Sequence, residues 1–466
     1  MSRQKELVKN TLIIAVGKLS TQFLTFLLLP LYTTLLTPGD YGQLDLALVY
    51  LGLLTPTLTV QMEMAVFRHL IDARKKPSDR VAIVSSSFFV TLIGTLVGST
   101  LITAIGWIFT IPIAPYVAGA FAAIATANYF LQVSRGIGRN DIFAAGSIII
   151  GLTNICLSVV SLTVFHASVE GLLIALMTAN VVGSAFLIGK TGSHRYLAIK
   201  GAEANTIKSL IAYSWPLVPN HISLWGINGI SRTVVAVVLG LSATGVYAAA
   251  SKFTLIYTSL YSIFAMSWTE TVSLHLEKRD EFLSNATNSM VKVFSSLALL
   301  VIAASAVFFP ILVANDFNEA KYYIPLLVIG GFFASMVTHY GAIYLAARET
   351  KKIAAVTLQA VIVSTILSLS GIWTIGLYAP ALAILVTYAY IAARRHFDVQ
   401  RFVVIKYRVS TFIPVSLVAL IVLILYYIDN ATFNILSFAL ASIAVIFINR
   451  ADIGKVKNMI RKKGHV

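Results

Sequence analysis

Long apolar runs alternate with short polar knots along the whole chain. A helix needs about 20 apolar residues to cross the hydrocarbon core of a bilayer. On that criterion spans fall near 11–36, 42–66, 82–105, 113–133, 142–165, 171–189, 209–238, 245–270, 288–313, 324–346, 353–374, 377–393, 410–428 and 433–449. The pattern predicts an all-α polytopic membrane protein with about 14 transmembrane helices. The first run follows a basic start, MSRQKELVKN, but continues past Lys18 to Leu36 without a small-x-small pattern. That is too long for the apolar core of a signal peptide, so a retained first helix is expected. The knots hold glycine, proline and aspartate, as in LLTPGDYGQLDLA (35–47) and LGLSATGVYAAASKF (239–253).

Composition strengthens the membrane reading. Of 466 residues, 58% are hydrophobic and 12% charged, with mean hydropathy +0.85. A soluble domain carries roughly twice that share of charge. The single cysteine, Cys156, sits inside an apolar run and cannot form an internal disulfide. It is expected to be a buried structural thiol.

Charge placement tests the span count. Thirty of the 35 Lys and Arg residues fall on alternate loops, one (Lys321) falls on the opposite set, and Lys18, Arg232, Lys252 and Lys292 fall within spans. Such asymmetry follows the positive-inside rule, and one missed helix would scramble it. Both termini are therefore expected on the cytoplasmic face. The net charge of +16 needs no nucleic acid to explain it, because basic loops facing an anionic leaflet suffice. The other loops carry Asp40, Glu170, Asp316, Glu319 and Asp429, and none is long enough for a soluble catalytic domain.

The chain also repeats. A slide of 206 residues places Gly39-Asp40-Tyr41 on Gly245-Val246-Tyr247 and His69-Leu70 on His275-Leu276. A slide of 209 superposes VEGLLIALMTA (169–179) on YAPALAILVTY (378–388). Two six-helix lobes, 1–200 and 205–400, with two extra helices and a basic tail over 401–466, account for the chain. Six is even, so the halves are parallel repeats, an arrangement that implies a cavity between two bundles.

Ionisable residues inside spans mark cavities or partners, since each costs roughly 2.5–3.5 kcal/mol to insert. Lys18 and Gln22 share a helical face in span 1. Asp45, Gly52, Thr55, Thr59 and Glu63 form a stripe in span 2. His221, Trp225, Asn228 and Arg232 form another in span 7, after Pro216 and Pro219, where a kink or break is expected. Span 8 carries Lys252 and Glu270, span 9 Lys292, and span 10 His339. Lys292 is close enough to the surface to snorkel, and Glu63 and Glu270 can pair with basic loop residues such as Arg68. His221 and His339 fit hydrogen-bonded packing roles as readily as ligand roles. Lys18, Arg232 and Lys252 remain as candidate cations of a central polar cavity, with Asp45 a partner for one of them. Arg presents paired donors to phosphate and Lys a point charge, so a phosphate-bearing amphiphile suits such a cavity and a cationic drug does not. No enzyme motif occurs: there is no G-x-S-x-G, H-E-x-x-H, C-x-x-C or Walker loop, and the eight histidines show no metal spacing. The sequence therefore predicts neither catalysis nor a cofactor.

NTLIIAVGKLSTQFLTFLLLPLYTTLLTPGDYGQLDLALVYLGLL (10–54) resembles the opening of the Wzx-type polysaccharide-export flippases of the multidrug/oligosaccharidyl-lipid/polysaccharide (MOP) exporter superfamily. Thr37 stands where that family's corner motif has its first glycine. SRTVVAVVLGLSATGVYAAASKF (231–253) resembles the second-half motif, with Arg232 and Lys252 on its basic positions and Ser231 where an acid is common. ARETKKIA (347–354) and GLYAPALAILVTYAY (376–390) resemble a later turn and helix. The resemblance implies two lobes, a cationic cavity and alternating access for undecaprenyl-pyrophosphate-linked oligosaccharide across a bacterial inner or plasma membrane. Membrane lipids and other polysaccharide-assembly proteins are the partners it implies. Lys18, Arg232, Lys252, His221, Asn228 and Gln22 are then the expected substrate contacts, and Asp45, Glu63 and Glu270 the candidates for ion coupling. A lipid II flippase is the near alternative. A small-molecule antiporter would need an acidic cluster deep in one lobe, and a glycan polymerase a large non-cytoplasmic loop.

Overall fold

The computed structural model describes residues 26–76, 79–197, 201–275, 280–346, 350–401 and 403–463. Among these the regular structure is helical: α1 Leu29–Leu35, α2 Pro38–Leu58, α3 Met62–Asp72, α4 Asp79–Ile108, α5 Ala114–Gly136, α6 Asn140–Thr163, α7 Val169–Thr191, α8 Ala204–Ser214, α9 Leu217–Val238, α10 Leu241–His275, α11 Asp280–Leu312, α12 Ala320–Ala346, α13 Thr350–Ile375, α14 Tyr378–Val399, α15 Val409–Ile428 and α16 Ala431–Lys463. Compactness divides the chain into residues 1–245 and 246–466.

Each expected span from the second onward meets a helix, and the first is described only from residue 26. Eight single helices among the described residues are long and apolar enough to cross a membrane, and α2 with α3 makes a ninth as a bent pair. Helices α9, α10 and α14 fall below that apolar threshold because they carry the polar stripes and terminal basic residues. Span 7 breaks at Trp215–Pro216, between α8 and α9, where the proline pair predicted it. Span 2, expected near 42–66, is broken by 51° between α2 and α3. Val60 and Gln61 take left-handed backbone (φ 53° and 50°), and the Gln61 amide donates to the Pro56 carbonyl at 2.7 Å. Pro56, lacking an N–H, has already opened the preceding turn.

In the first unit a core of Val66, Leu70, Val84, Tyr129, Phe130, Val133 and Leu187 joins α3, α4, α5 and α7. The Tyr129 hydroxyl is fixed between the Val84 carbonyl (2.8 Å) and Ser87 Oγ (2.9 Å). In the second unit Trp268, Val272, Leu283, Tyr340, Ile343, Tyr344 and Val399 play the matching part. There His339 stacks on Trp268 with ring centroids 4.2 Å apart, and its Nε2 meets Thr287 Oγ1 at 2.9 Å. Ser87–Tyr129 joins α4 to α5 in the first unit, and Thr287–His339 joins α11 to α12 in the second. The hairpin α15–α16 packs on α11, where Asn449 Nδ2 donates to Ser296 Oγ at 2.9 Å. At its turn Asp429 takes the Lys321 ammonium at 2.6 Å, and Tyr426 donates to the Lys321 carbonyl at 2.8 Å. The lone cation on the less basic side is thereby neutralised.

Outward faces are apolar. Trp107 (83% exposed), Phe165 and Trp373 sit at the ends of spans away from the basic loops, as interfacial aromatics do. Cys156 corrects the sequence expectation: it is exposed on α6, near Leu152, Val159 and Val160. A lipid-facing position accepts an apolar thiol as readily as a core does.

The corner that opens α2 shows how its knot works. Thr37 caps the helix, its Oγ1 accepting the Asp40 amide at 3.2 Å, and Pro38 occupies the first turn. The first turn of α10 crosses this one backbone to backbone. A Cβ on Gly42 would lie 1.9 Å from the Leu241 carbonyl oxygen, and a Cβ on Gly245 would lie 1.9 Å from that of Pro38. We expect Gly42→Val or Gly245→Val to cost at least about 3 kcal/mol, the upper range for overpacking. Gly189→Ala, whose Cβ meets nothing within 4 Å, should be neutral. Thermal melts of the detergent-solubilised protein read the difference.

Candidate functional site

The two polar stripes of the sequence analysis meet. Helix α9 runs antiparallel to α2, and the helices are laced by a ladder of polar contacts inside the first unit. At one end Arg232 Nη1 donates to Asp45 Oδ2 at 2.7 Å. Next, Tyr50 and Thr233 share a hydrogen bond of 3.0 Å, and the Trp225 indole donates to the Val49 carbonyl at 2.9 Å. His221 Nε2 then meets the Gly52 carbonyl at 3.0 Å. Past the helix break, Gln61 Nε2 donates to the Leu217 carbonyl at 3.2 Å. Beyond it His69 Nε2 lies 3.3 Å from Ser209 Oγ.

The His221 contact has a local cause. In a regular helix the Gly52 carbonyl would accept the amide of residue 56, but that residue is Pro56. The orphaned carbonyl is left to seek another donor. His221 supplies one, which requires the tautomer with hydrogen on Nε2. The helix-breaking proline and the histidine, 165 positions apart in the chain, are one arrangement.

The ion pair is the most buried polar feature of the ladder, with side-chain exposure of 5% for Asp45 and 21% for Arg232. A pair this shielded is costly to break, because removing one partner strands the other charge. Asp45 was expected to pair with a span cation, and Arg232 is that cation. One guanidinium nitrogen serves Asp45, and a guanidinium has five N–H donors in all. Asn228, on the same stripe, is exposed. Glu63 sits two residues past the break, half-buried, with Thr59 Oγ1 3.4 Å from its carboxylate. Lys252 is half-buried on the part of α10 that belongs to the second unit. Lys18 and Gln22, and the Glu270 side chain, lie outside the described residues. Tyr50, Thr233 and Gln61 join the ladder without having been singled out from sequence. The available signal was Pro56, four residues after Gly52 on the polar stripe.

A family model described as polysaccharide biosynthesis protein matches residues 7–269, more than half of the chain. The chain belongs to this polysaccharide biosynthesis family. Solved structures extend the likeness to the whole fold. "Lipid II flippase MurJ, inward closed conformation" superposes with TM-score 0.71 at 13% identity, covering 96% of this chain and 99% of that one. "Inward-facing conformation of a multidrug resistance MATE family transporter of the MOP superfamily" gives TM-score 0.69 at 15% identity, covering 83% and 98%. A MATE transporter of Vibrio cholerae gives 0.59 at 14% identity, covering 86% and 98%. No curated protein sequence matches the chain. The family member thus has the fold of MOP-superfamily transporters, and the ladder lies within the segment that the family model covers.

The ladder makes a quantitative prediction. Asp45→Asn and Arg232→Gln should each destabilise the protein by about 3–5 kcal/mol, as when one partner of a buried pair is removed. The double variant should recover most of that loss. His221→Phe should cost about 0.5–1.5 kcal/mol, the net worth of its hydrogen bond to the exposed Gly52 carbonyl. A double-mutant cycle on thermal stability in one detergent checks all three.

Proposed function

We propose that this protein is a flippase that carries undecaprenyl-pyrophosphate-linked oligosaccharide from the cytoplasmic to the outer leaflet of a bacterial cell membrane by alternating access. The observation that carries the reading is the polysaccharide biosynthesis family match over residues 7–269. The fold likeness to a protein described as a lipid II flippase, over 96% of this chain, supports it. Lipid II joins a polyprenyl pyrophosphate to a glycan-bearing head, the same chemical class of amphiphile. The proposed product is a repeat unit delivered to the assembly of a surface polysaccharide such as O-antigen, capsule or exopolysaccharide. Membrane lipids and other polysaccharide-assembly proteins are the proposed partners. The alternation of basic loops supports an orientation with both termini in the cytoplasm.

The proposed pyrophosphate contacts are Lys18, Arg232 and Lys252, with Gln22, His221 and Asn228 beside them. Arg232 retains donors beyond the one given to Asp45, and about a fifth of its side chain is accessible. Where transport is coupled to H⁺ or Na⁺, the carboxylates proposed to carry it are Asp45, Glu63 and Glu270. No chemical step on the substrate is needed, so we assign no catalysis.

A lipid II flippase is the second reading, favoured by one observation. The MurJ structure covers 13% more of this chain than the MATE structure does, roughly the length of 401–466.

Complementation of a deletion strain tests both. The expected result is accumulation of a lipid-linked repeat unit in the deletion strain, with peptidoglycan precursors unchanged. Accumulated lipid II would favour the second reading. Lys252→Ala and Asn228→Ala should each lower glycan export by about tenfold or more, the size of a lost charge-assisted contact of ~1.5–3 kcal/mol for the lysine. Membrane levels of both variants should stay normal. Full export by both would overturn the contact assignment.

A further inference from the structure

Residues 403–408, leading into α15, form an extended strap pinned across the start of α11. Ser284 Oγ donates to the Val404 carbonyl at 3.1 Å and accepts the Lys406 amide at 3.1 Å. One turn on, Asn288 donates to the Lys406 carbonyl at 2.7 Å and accepts the Arg408 amide at 2.9 Å. Gln400 holds Ile405 by both its amide (3.0 Å) and its carbonyl (3.1 Å). Side chains of α11 and of Gln400, just past the end of α14, thus stand in for a partner strand, and the strap's own side chains alternate as a strand's do. Val403 (1% exposed) and Ile405 (4%) enter the core with Leu283 and Tyr340. Val404, Lys406 and Arg408 point outward and are exposed.

This outer row lines a cavity of about 590 Å³ together with Glu281, Ser284, Asn285 and Tyr407. Two cations face one carboxylate there. Among the described residues neither Lys406 nor Arg408 forms an ion pair, and the Arg408 guanidinium donates only to Asn285 Oδ1, at 2.8 Å. Residues two apart on an extended segment stand roughly 6.5–7 Å apart, a spacing at which two side chains can grip one phosphate from either side. The backbone anchoring means that neither cation's placement depends on its own side chain. The strap joins two membrane helices, and five residues beyond Arg408 the apolar Ile413 (55% exposed) and then Leu417 (58%) begin a lipid-facing stripe. Val404, exposed beside the cations at 47%, adds an apolar contact that a soluble anion does not need.

We propose that the Lys406–Arg408 strap binds a phosphate group, carried by the headgroup of an anionic phospholipid in the leaflet that the basic loops face. This inference is independent of what the protein transports. The test uses the full chain purified in detergent, with native mass spectrometry and thermal melts read against added phosphatidylglycerol, phosphatidylcholine or inorganic phosphate. The wild type should bind phosphatidylglycerol in preference to phosphatidylcholine. Lys406→Ala/Arg408→Ala should weaken phosphatidylglycerol binding by roughly tenfold to thirtyfold, the effect of removing two basic residues from an anionic surface. Lys190→Ala/Lys208→Ala, which removes two exposed lysines flanking the basic connection between α7 and α8, should leave binding within about twofold. Melts in phosphatidylcholine alone should match wild type for both double variants, since the substituted side chains are exposed. If the strap variant keeps the preference, or the control pair loses it equally, the site is overturned. If inorganic phosphate alone protects the wild type and not the strap variant, and phosphatidylglycerol adds nothing, the phosphate site stands and its lipid source is overturned.

Discussion

A polar group inside a bilayer must find its partner within the protein. In this chain that constraint falls hardest on α2, where a proline removes a backbone donor and an aspartate stands four residues after the corner tyrosine. Both demands are met by α9. Arg232 takes the carboxylate, His221 takes the orphaned carbonyl, and Trp225 adds a donor between them. Without α9, α2 would carry a buried charge and an unmet acceptor. The association of a second-span and a seventh-span helix is thus set by local chemistry rather than by apolar packing, which has little driving force in lipid.

The crossing of Gly42 and Gly245 works with the ladder. Two backbones come together at the corner because neither carries a Cβ, and the contact is reciprocal: each glycine faces the carbonyl four residues before the other. The contact joins positions 203 residues apart. The sequence slide of 206 aligned Gly39 with Gly245 because those glycines share a corner motif. The close contact needs the glycine at the crossing point, Gly42, three residues after the one the slide aligned. Within each unit a buried polar pair also joins neighbouring helices, Ser87–Tyr129 in the first and Thr287–His339 in the second.

What was legible in sequence was what depends on bulk properties or on single strong residues. The span pattern, the charge asymmetry and the break at Pro216 needed no knowledge of neighbours. Asp45 could be expected to pair, because a lone carboxylate in a span is too costly to leave alone. The bend at Val60–Gln61 was not legible, because left-handed backbone at a β-branched residue contradicts local preference and is held from outside. Gln61 reaching the Leu217 carbonyl is part of that hold. Nor could the role of His221 be read, since the acceptor it serves exists only through Pro56 on another helix. Cys156 was misplaced for a different reason: in lipid, an apolar position carries no sign of whether it faces protein or solvent.

The ion pair also limits how any anionic ligand can use Arg232. A phosphate that pulled the guanidinium away from Asp45 would leave a carboxylate with 5% exposure uncompensated, and that cost would be subtracted from its binding energy. A phosphate that reads the remaining donors of the fork loses nothing, because one guanidinium can serve two acceptors at once. The geometry therefore favours shared over exchanged contacts. A shared contact is weaker than one made by an unpaired arginine, because the carboxylate already offsets most of the charge. For the proposed carrier that is the useful regime, since binding there would have to orient a ligand and still permit its release. The same pair that secures α2 to α9 thus keeps the arginine in place and would moderate its hold on any anion.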